Sequence, residues 1–201
     1  ALSKVASGDR VHYAARKTAP CTDALGGVVM AMDKATDLFL DLTPEVVLDA
    51  IEATGLRCTN ACVALNSFEN RVYEIALIDG TRLVTKFYRP MRWTEAQILQ
   101  EHDFLAELAN AEVPVCNVVS FPDGGTLKRV DHIWFCLFER KGGRAPDEID
   151  DVLAERLGMM TARIHNVGAS RPAEHRLPLR PERWIEESLE NLLERELLPH
   201  R

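Results

Sequence analysis

The chain has 201 residues, 46% hydrophobic and 27% charged, an ordinary folded composition with room for one domain or one and a half. Acids outnumber bases 31 to 24 for a net charge of -7, so no excess of Lys and Arg is available to grip nucleic-acid phosphates or an anionic membrane, and neither partner is expected. The five cysteines are odd in number and sit mostly in apolar, strand-like stretches, which favours reduced core thiols in a cytoplasmic protein; Cys58 and Cys62 have no second Cys/His pair at zinc spacing.

Residues 1–35 open at Ala1 and hold the longest apolar run, 24–32, about half of what a membrane-spanning helix needs, behind Arg16 and Lys17 in a faint resemblance to a secretory leader. This stretch reads as leader or disordered and is assigned no function. Leu42-Thr43-Pro44 with Val46, Val47, Leu48 and Ile51 predicts a short helix, with an N-cap Thr, a first-turn Pro and Gly55 as its stop. Strands are expected over 57–65, 72–78 and 82–88, the last two joined by an Asp79-Gly80 hairpin turn and the third ended by Pro90. The clearest helix runs over 94–110, with Thr94 and Gln97 spaced as a capping box. Two further strands, 113–121 and 132–139, flank the turn-rich 122–125 segment, which gives an antiparallel sheet with a helix on one face. Beyond a flexible junction at Lys141-Gly142-Gly143, a second long helix carries Ile149, Leu153, Leu157, Met160 and Ile164, and a Glu-rich amphipathic helix over 182–198 turns Ile185, Leu189, Leu192 and Leu193 inward.

Lys86 stands mid-strand, on the same face as Val84 and Tyr88 by period-two geometry. A lysine there is either at a solvated edge or held for a purpose. Glu101 bears on the choice, because Ile98, Glu101, Leu105 and Leu108 fall on one face of the next helix and place an acid in an apolar stripe. A buried carboxylate is costly unless paired, and an ammonium opposite it supplies about 4 kcal/mol at about 4 Å and an effective dielectric of about 20. Lys86 is the nearest candidate. A strand lysine followed by an inward glutamate is the phosphate-gripping pair of protein-kinase-like enzymes, in which the ammonium holds ATP phosphates and the carboxylate holds the ammonium. That plan also needs a turn between the first two strands whose backbone N–H groups cover the phosphates. Asn66-Ser67-Phe68-Glu69-Asn70 has no glycine, and reads equally as such a cover, with Asn and Ser donors, or as a plain surface hairpin.

The run Leu65-Asn66-Ser67-Phe68-Glu69-Asn70-Arg71-Val72-Tyr73, the string Lys86-Phe87-Tyr88-Arg89-Pro90 with Arg92-Trp93-Thr94, Gln97-Ile98-Leu99 with Glu101-His102, and Glu112-Val113-Pro114-Val115 resemble the bacterial stress response kinase A, or RdoA-type, Ser/Thr protein kinases, within the aminoglycoside phosphotransferase and choline kinase-like group. The likeness covers roughly residues 36–170. It implies an α+β, protein-kinase-like fold, with a five-stranded antiparallel N-lobe sheet and one long helix over 36–140, then the hinge exit and first helices of an incomplete helical C-lobe over 141–201. It also implies ATP and Mg²⁺ as cofactors, a protein Ser/Thr hydroxyl as the substrate of a complete, monomeric enzyme, and a cytoplasmic stress-response setting. Residue by residue, the resemblance carries over Lys86 as the ATP lysine and Glu101 as its partner. It carries over Asn66, Ser67, Phe68 and Asn70 as the phosphate-covering turn, and Phe138 and Glu139 as the hinge beside the adenine. His165 fits both the family's entry to its larger lobe and an ordinary helix-end histidine.

Phosphoryl transfer on this plan needs an Asp to orient the hydroxyl, an Asn on the metal and a second Asp on Mg²⁺. After Asp151 the chain has no Asp, and Asn occurs there only at Asn166 and Asn191. The expectation is therefore a truncated copy with negligible kinase activity of its own and exposed apolar stripes on the helices after residue 150, prone to association. Two other readings stay open: a fragment of a small-molecule kinase of the choline, homoserine or aminoglycoside type, and a non-catalytic remnant that binds nucleotide or a partner protein.

Overall fold

The computed structural model describes Phe39 and residues 41–194; the leader assignment for 1–35, Cys21 and the end of the last helix fall outside them. Helix α1 (Pro44–Glu52) starts where the Thr43 side chain accepts from the Val46 N–H and Pro44 fills a first-turn position whose N–H has no helical partner to lose. Gly55, at φ 95°, takes the left-handed turn that leads into the sheet. Strands β1 (Cys58–Leu65), β2 (Arg71–Leu77) and β3 (Arg82–Phe87) run antiparallel, β2 and β3 joined through Asp79 and Gly80, whose φ is 88°.

Helix α2 (Glu95–Asn110) has the expected capping box: the Gln97 N–H donates to Thr94 Oγ1 and the Gln97 side chain accepts from the Thr94 N–H. Strands β4 (Val118–Val119), β5 (Lys128–Val130) and β6 (Ile133–Glu139) complete a six-stranded sheet of order β1-β2-β3-β6-β4, with β5 also paired to β6. Two expectations are corrected here. The sheet has six strands rather than five, because 128–130 turns back on β6 through Asp131 and His132, with Asp131 at φ 51°. The strand expected over 113–121 shrinks to two residues, since Pro114 lacks an amide donor and the chain meets β6 only from Asn117 onward.

Alternation along β2 and β3 gives the sheet two unlike faces. On one, Tyr73, Ile75, Leu83, Phe87, Phe135 and Leu137 pack against Val47 and Ile51 of α1 to form the main core. Each such side chain, once fully buried, contributes about 1.5–3 kcal/mol. The other face carries a small second cluster, Tyr88, Ile98 and Cys136, beneath α2. The cysteines depart from expectation: Cys136 is buried, but Cys58 and Cys62 are half-buried and Cys116 is exposed.

Helix α3 (Asp151–Gly168) follows an exposed connection, capped by Asp150, whose side chain accepts from the Leu153 N–H at 2.7 Å. A π-helical turn (Glu182–Glu186) then leads into α4 (Glu187–Glu194). None of the α3 side chains is buried, and Ile149, Leu157, Met159, Ile185, Leu189 and Leu193 are exposed, so the last helix does not turn its apolar stripe inward. What α3 does touch is the end of α2. There the N–H groups of Glu112 and Val113 return to the carbonyls of Ala109 and Leu108 in a Schellman arrangement, with Glu112 at φ 58°, and Arg163 Nη2 donates to the carbonyls of Ala111 and Glu112 at 3.0 and 2.9 Å. Glu112→Gly is expected to raise stability by about 0.5–1 kcal/mol in urea unfolding, because glycine removes the left-handed penalty and keeps the carbonyl that Arg163 grips. An unchanged or lower midpoint would mean the Glu112 side chain carries weight that the backbone does not explain.

Candidate functional site

β3 lies between β2 and β6, so Lys86 is on a central strand rather than a solvated edge. Cross-strand register sets it beside Val72 and Cys136, on the face away from the main core, while Thr85 and Phe87 point into that core. Its ammonium reaches Glu101 Oε1 at 2.7 Å, with the two side chains only 22% and 25% exposed. The Tyr88 hydroxyl donates to the same oxygen at 3.2 Å, and its ring lies 4.3 Å from Lys86 Nζ. Arg176 Nη1 takes the other carboxylate oxygen, Oε2, at 3.4 Å. Burial pushes the Glu101 carboxyl up, but Lys86, then Arg176 and Tyr88, together bring it below the ordinary glutamate value.

Behind this pair runs a directed chain of hydrogen bonds. Since Tyr88 gives its proton to Glu101, its oxygen accepts from His102 Nε2 at 3.4 Å, and His102 Nδ1 then accepts from the Thr126 hydroxyl at 2.9 Å. Burial, foremost, holds the His102 pKa below its usual range, which keeps the ring neutral as this pattern requires. Burial also raises the Tyr88 phenol and lifts the Cys136 thiol to about 12, so neither is a nucleophile here. The α2 face is therefore not the apolar stripe expected: Gln97 and His102 are buried with Ile98 and Leu108, whereas Leu105 is half-buried.

Residues paired across the sheet share a face, so Val63, Leu65, Val72, Glu74, Val84 and Phe138 all lie on the Lys86 side, with the Glu74 carboxylate paired to Arg82 and Arg140. Val63 is 56% and Leu65 37% exposed, which leaves a largely apolar shelf, with Glu74 at its outer end, uncovered beside the ammonium. Period-two reading from Lys86 would have found these residues. The turn at 66–70 ends the shelf: Asn66, Ser67 and Phe68 are exposed, the Ser67 hydroxyl donates to the Asn70 carbonyl, and Asn70 Oδ1 accepts from the Arg89 N–H at 3.2 Å. Glu69 pairs with Arg92 at 2.9 Å, tying the same turn to the stretch that follows β3. Phe138 pairs with Val84 at the far side of the shelf. Glu139 pairs with Leu83 and so turns to the opposite face, where its carboxylate accepts from Asn117 Nδ2 at 3.1 Å and pairs with Lys141 at 2.6 Å. Only its backbone is near the shelf. Arg176 had no signal in the sequence, standing 75 positions from Glu101. His165 lies exposed in the last turn of α3. Among the described residues no group of three or more His, Cys, Asp or Glu side chains is arranged to hold a metal ion.

Residues 62–201 match the phosphotransferase enzyme family, well over half of the chain. The chain belongs to that family. Similar family relatives include stress response kinase A of Escherichia coli O157:H7, 40% identical over 147 residues, which are 72% of this chain and 44% of the relative. Serine/threonine protein kinase RdoA of Salmonella typhimurium (strain LT2) is 40% identical over 136 residues, 67% of this chain and 40% of that protein. The chain thus spans less than half the length of these relatives. Among solved structures, amicoumacin kinase hAmiN in complex with AMP-PNP, Ca²⁺ and Ami is similar in fold, with a TM-score of 0.61 at 19% identity over 84% of this chain and 57% of that one. A microcompartment-associated aminopropanol kinase gives a TM-score of 0.58 at 26% identity over 71% of this chain and 47% of that one.

Because the Glu101 pKa is lowered in the folded chain, its contribution is complete above the ordinary glutamate pKa of about 4.3 and is lost as pH falls through the lower folded value. Glu101→Gln is therefore expected to cost about 1 kcal/mol at neutral pH, with the gap from wild type closing on acidification. Urea unfolding of both proteins at a series of pH values checks this, and a gap that is constant with pH would remove the charge pair as its source.

Proposed function

We propose that this chain is the nucleotide-gripping part of a kinase that, when complete, transfers the ATP γ-phosphate to protein Ser/Thr hydroxyls. The observation that carries the reading is the 2.7 Å contact between Lys86 and Glu101 at the margin of a half-open apolar face. An ammonium beside an uncovered apolar shelf suits a ligand with a flat apolar base and a polyanionic tail. In this reading residues 36–140 form the ATP-binding lobe and 141–201 the hinge exit and the first helices of a second lobe. Val63, Leu65, Val72 and Val84 would hold the adenine, with Phe138 and the Glu139 backbone at its edge. Lys86 would bind the phosphates and Glu101 would orient Lys86. The turn bearing Asn66, Ser67, Phe68 and Asn70 would cover the phosphates.

Relatedness favours protein over small molecule as the acceptor. The 40% identity is to kinases named for stress response and for Ser/Thr protein phosphorylation, whereas the amicoumacin and aminopropanol kinases share 19% and 26%. A cytoplasmic, monomeric complete enzyme in a stress response fits the same kinship, and no described helix is long and apolar enough to cross a membrane. Mg²⁺ would bridge the phosphates in such an enzyme. The described residues do not assemble a ligand set for it. Residues 152–201 contain no Asp to orient an attacking hydroxyl, and the 201-residue chain by itself is expected to transfer no phosphate.

Saturating Mg-ATP, at about a hundred times its Kd, is expected to stabilise the purified chain by about 2.7 kcal/mol through mass action, seen as a rise in melting temperature. Lys86→Ala should abolish the rise. A wild-type chain that melts identically with and without nucleotide would instead favour a partner-binding remnant. Phosphate transfer to any acceptor above the Lys86→Ala background would refute the expected inactivity.

A further inference from the structure

Arg176 comes from the stretch after α3, outside everything that defines the Lys86 and Glu101 pair, yet it takes the second oxygen of that pair's carboxylate. It does so as part of a longer attachment. The backbone N–H groups of His175 and Arg176 both donate to Gln100 Oε1 at 2.9 Å, Arg171 pairs with Glu107, and a side chain at Gly168 would sit 3.5 Å from the Phe104 ring. Gln100, Phe104 and Glu107 repeat at helical spacing, so the 168–176 stretch lies lengthwise along one face of α2, with a half-open cleft of about 300 Å³ between them. The Arg176 guanidinium is also stacked 4.8 Å from the Trp93 ring, which fixes its approach to Glu101.

Resting on the nucleotide-binding reading above, we infer that Arg176 is a positioning residue, a second cation that holds Glu101 and α2 in place while Lys86 is shared with phosphate. The physical need is specific. Lys86 and Tyr88 both act on Oε1, and a phosphate that shares the ammonium weakens the one cation on that oxygen, although the carboxylate side chain is only 25% exposed. A partly buried acid with too little opposing charge is penalised, so α2 would tend to swing out. Arg176, on Oε2, keeps that charge compensated while the ammonium is shared, and its fixed fork makes it better suited than a second lysine to stay on the carboxylate. The docking of 168–176 along α2 thereby becomes a condition for tight nucleotide binding.

The test uses the whole 201-residue chain, with AMP-PNP titration and hydrogen exchange of α2 amides measured on wild type, Arg176→Gln, Arg176→Lys and Lys86→Ala. Arg176 is partly exposed, so Arg176→Gln is expected to weaken AMP-PNP binding roughly two- to five-fold and to speed exchange in the middle of α2 in the nucleotide-free protein, with Arg176→Lys recovering most of both. Arg176→Gln with wild-type affinity and wild-type α2 exchange, beside a Lys86→Ala protein that no longer binds, would overturn the clamp and leave the nucleotide reading intact. Lys86→Ala that binds like wild type would bring down the nucleotide reading, and the clamp with it. Should Arg176→Gln fail to fold, Gln100→Ala frees the two strap amides without touching a charge; it must speed α2 exchange in the same way, and unchanged exchange there would equally sink the inference.

Discussion

The arrangement depends on keeping a carboxylate in a place where water reaches it poorly. Glu101 sits between a sheet and a strap, and every polar contact it makes comes from elsewhere in the chain: Lys86 and Tyr88 from the β3 region, Arg176 from beyond α3. Such a group adds little to stability when its partners are present and is costly when they are not. Its effect is selective. Rotations of α2 that part Glu101 from Lys86 strand a charge, so the helix is set against the sheet in the one register that brings the ammonium to the edge of an uncovered apolar shelf.

That shelf exists because the sheet's two faces are treated differently. One is sealed by α1 and a stack of aromatic rings, with Phe87 and Phe135 centroids 5.1 Å apart, and is core in the usual sense. On the other, α2 covers only the part around Tyr88, Ile98 and Cys136, and Val63 and Leu65 stay open to solvent. A largely apolar face left open beside a held cation is expensive in stability.

Those features were legible in the sequence wherever local chemistry decided the conformation. Thr43 with Pro44, and Thr94 with Gln97, announce their helices because cap hydrogen bonds are short-range, and the Lys86 to Glu101 link follows from two periodicities laid side by side. The misses share a cause of the opposite kind. Asp131 and Glu112 adopt left-handed backbone without glycine, so the β5 to β6 turn and the end of α2 carried no glycine to mark them. Pro114 overrode an apolar run that otherwise reads as strand. His102 and Gln97 are buried against the pattern because Thr126, Tyr88 and Thr94 satisfy their polar atoms, and only three-dimensional neighbours could reveal that. Arg176 is the extreme case, a contact made across 75 positions with no spacing rule behind it.

One consequence concerns how copies of this chain could meet. Of the sheet's outer strands, β1 is interrupted by an irregularity between Cys58 and Cys62, and β4 is two residues long in the wake of Pro114. Neither offers the long, flat row of unpaired amides that lets one sheet continue into another. Extension of one sheet into another through either of these strands is thus blunted, whatever apolar side chains α3 and α4 leave exposed.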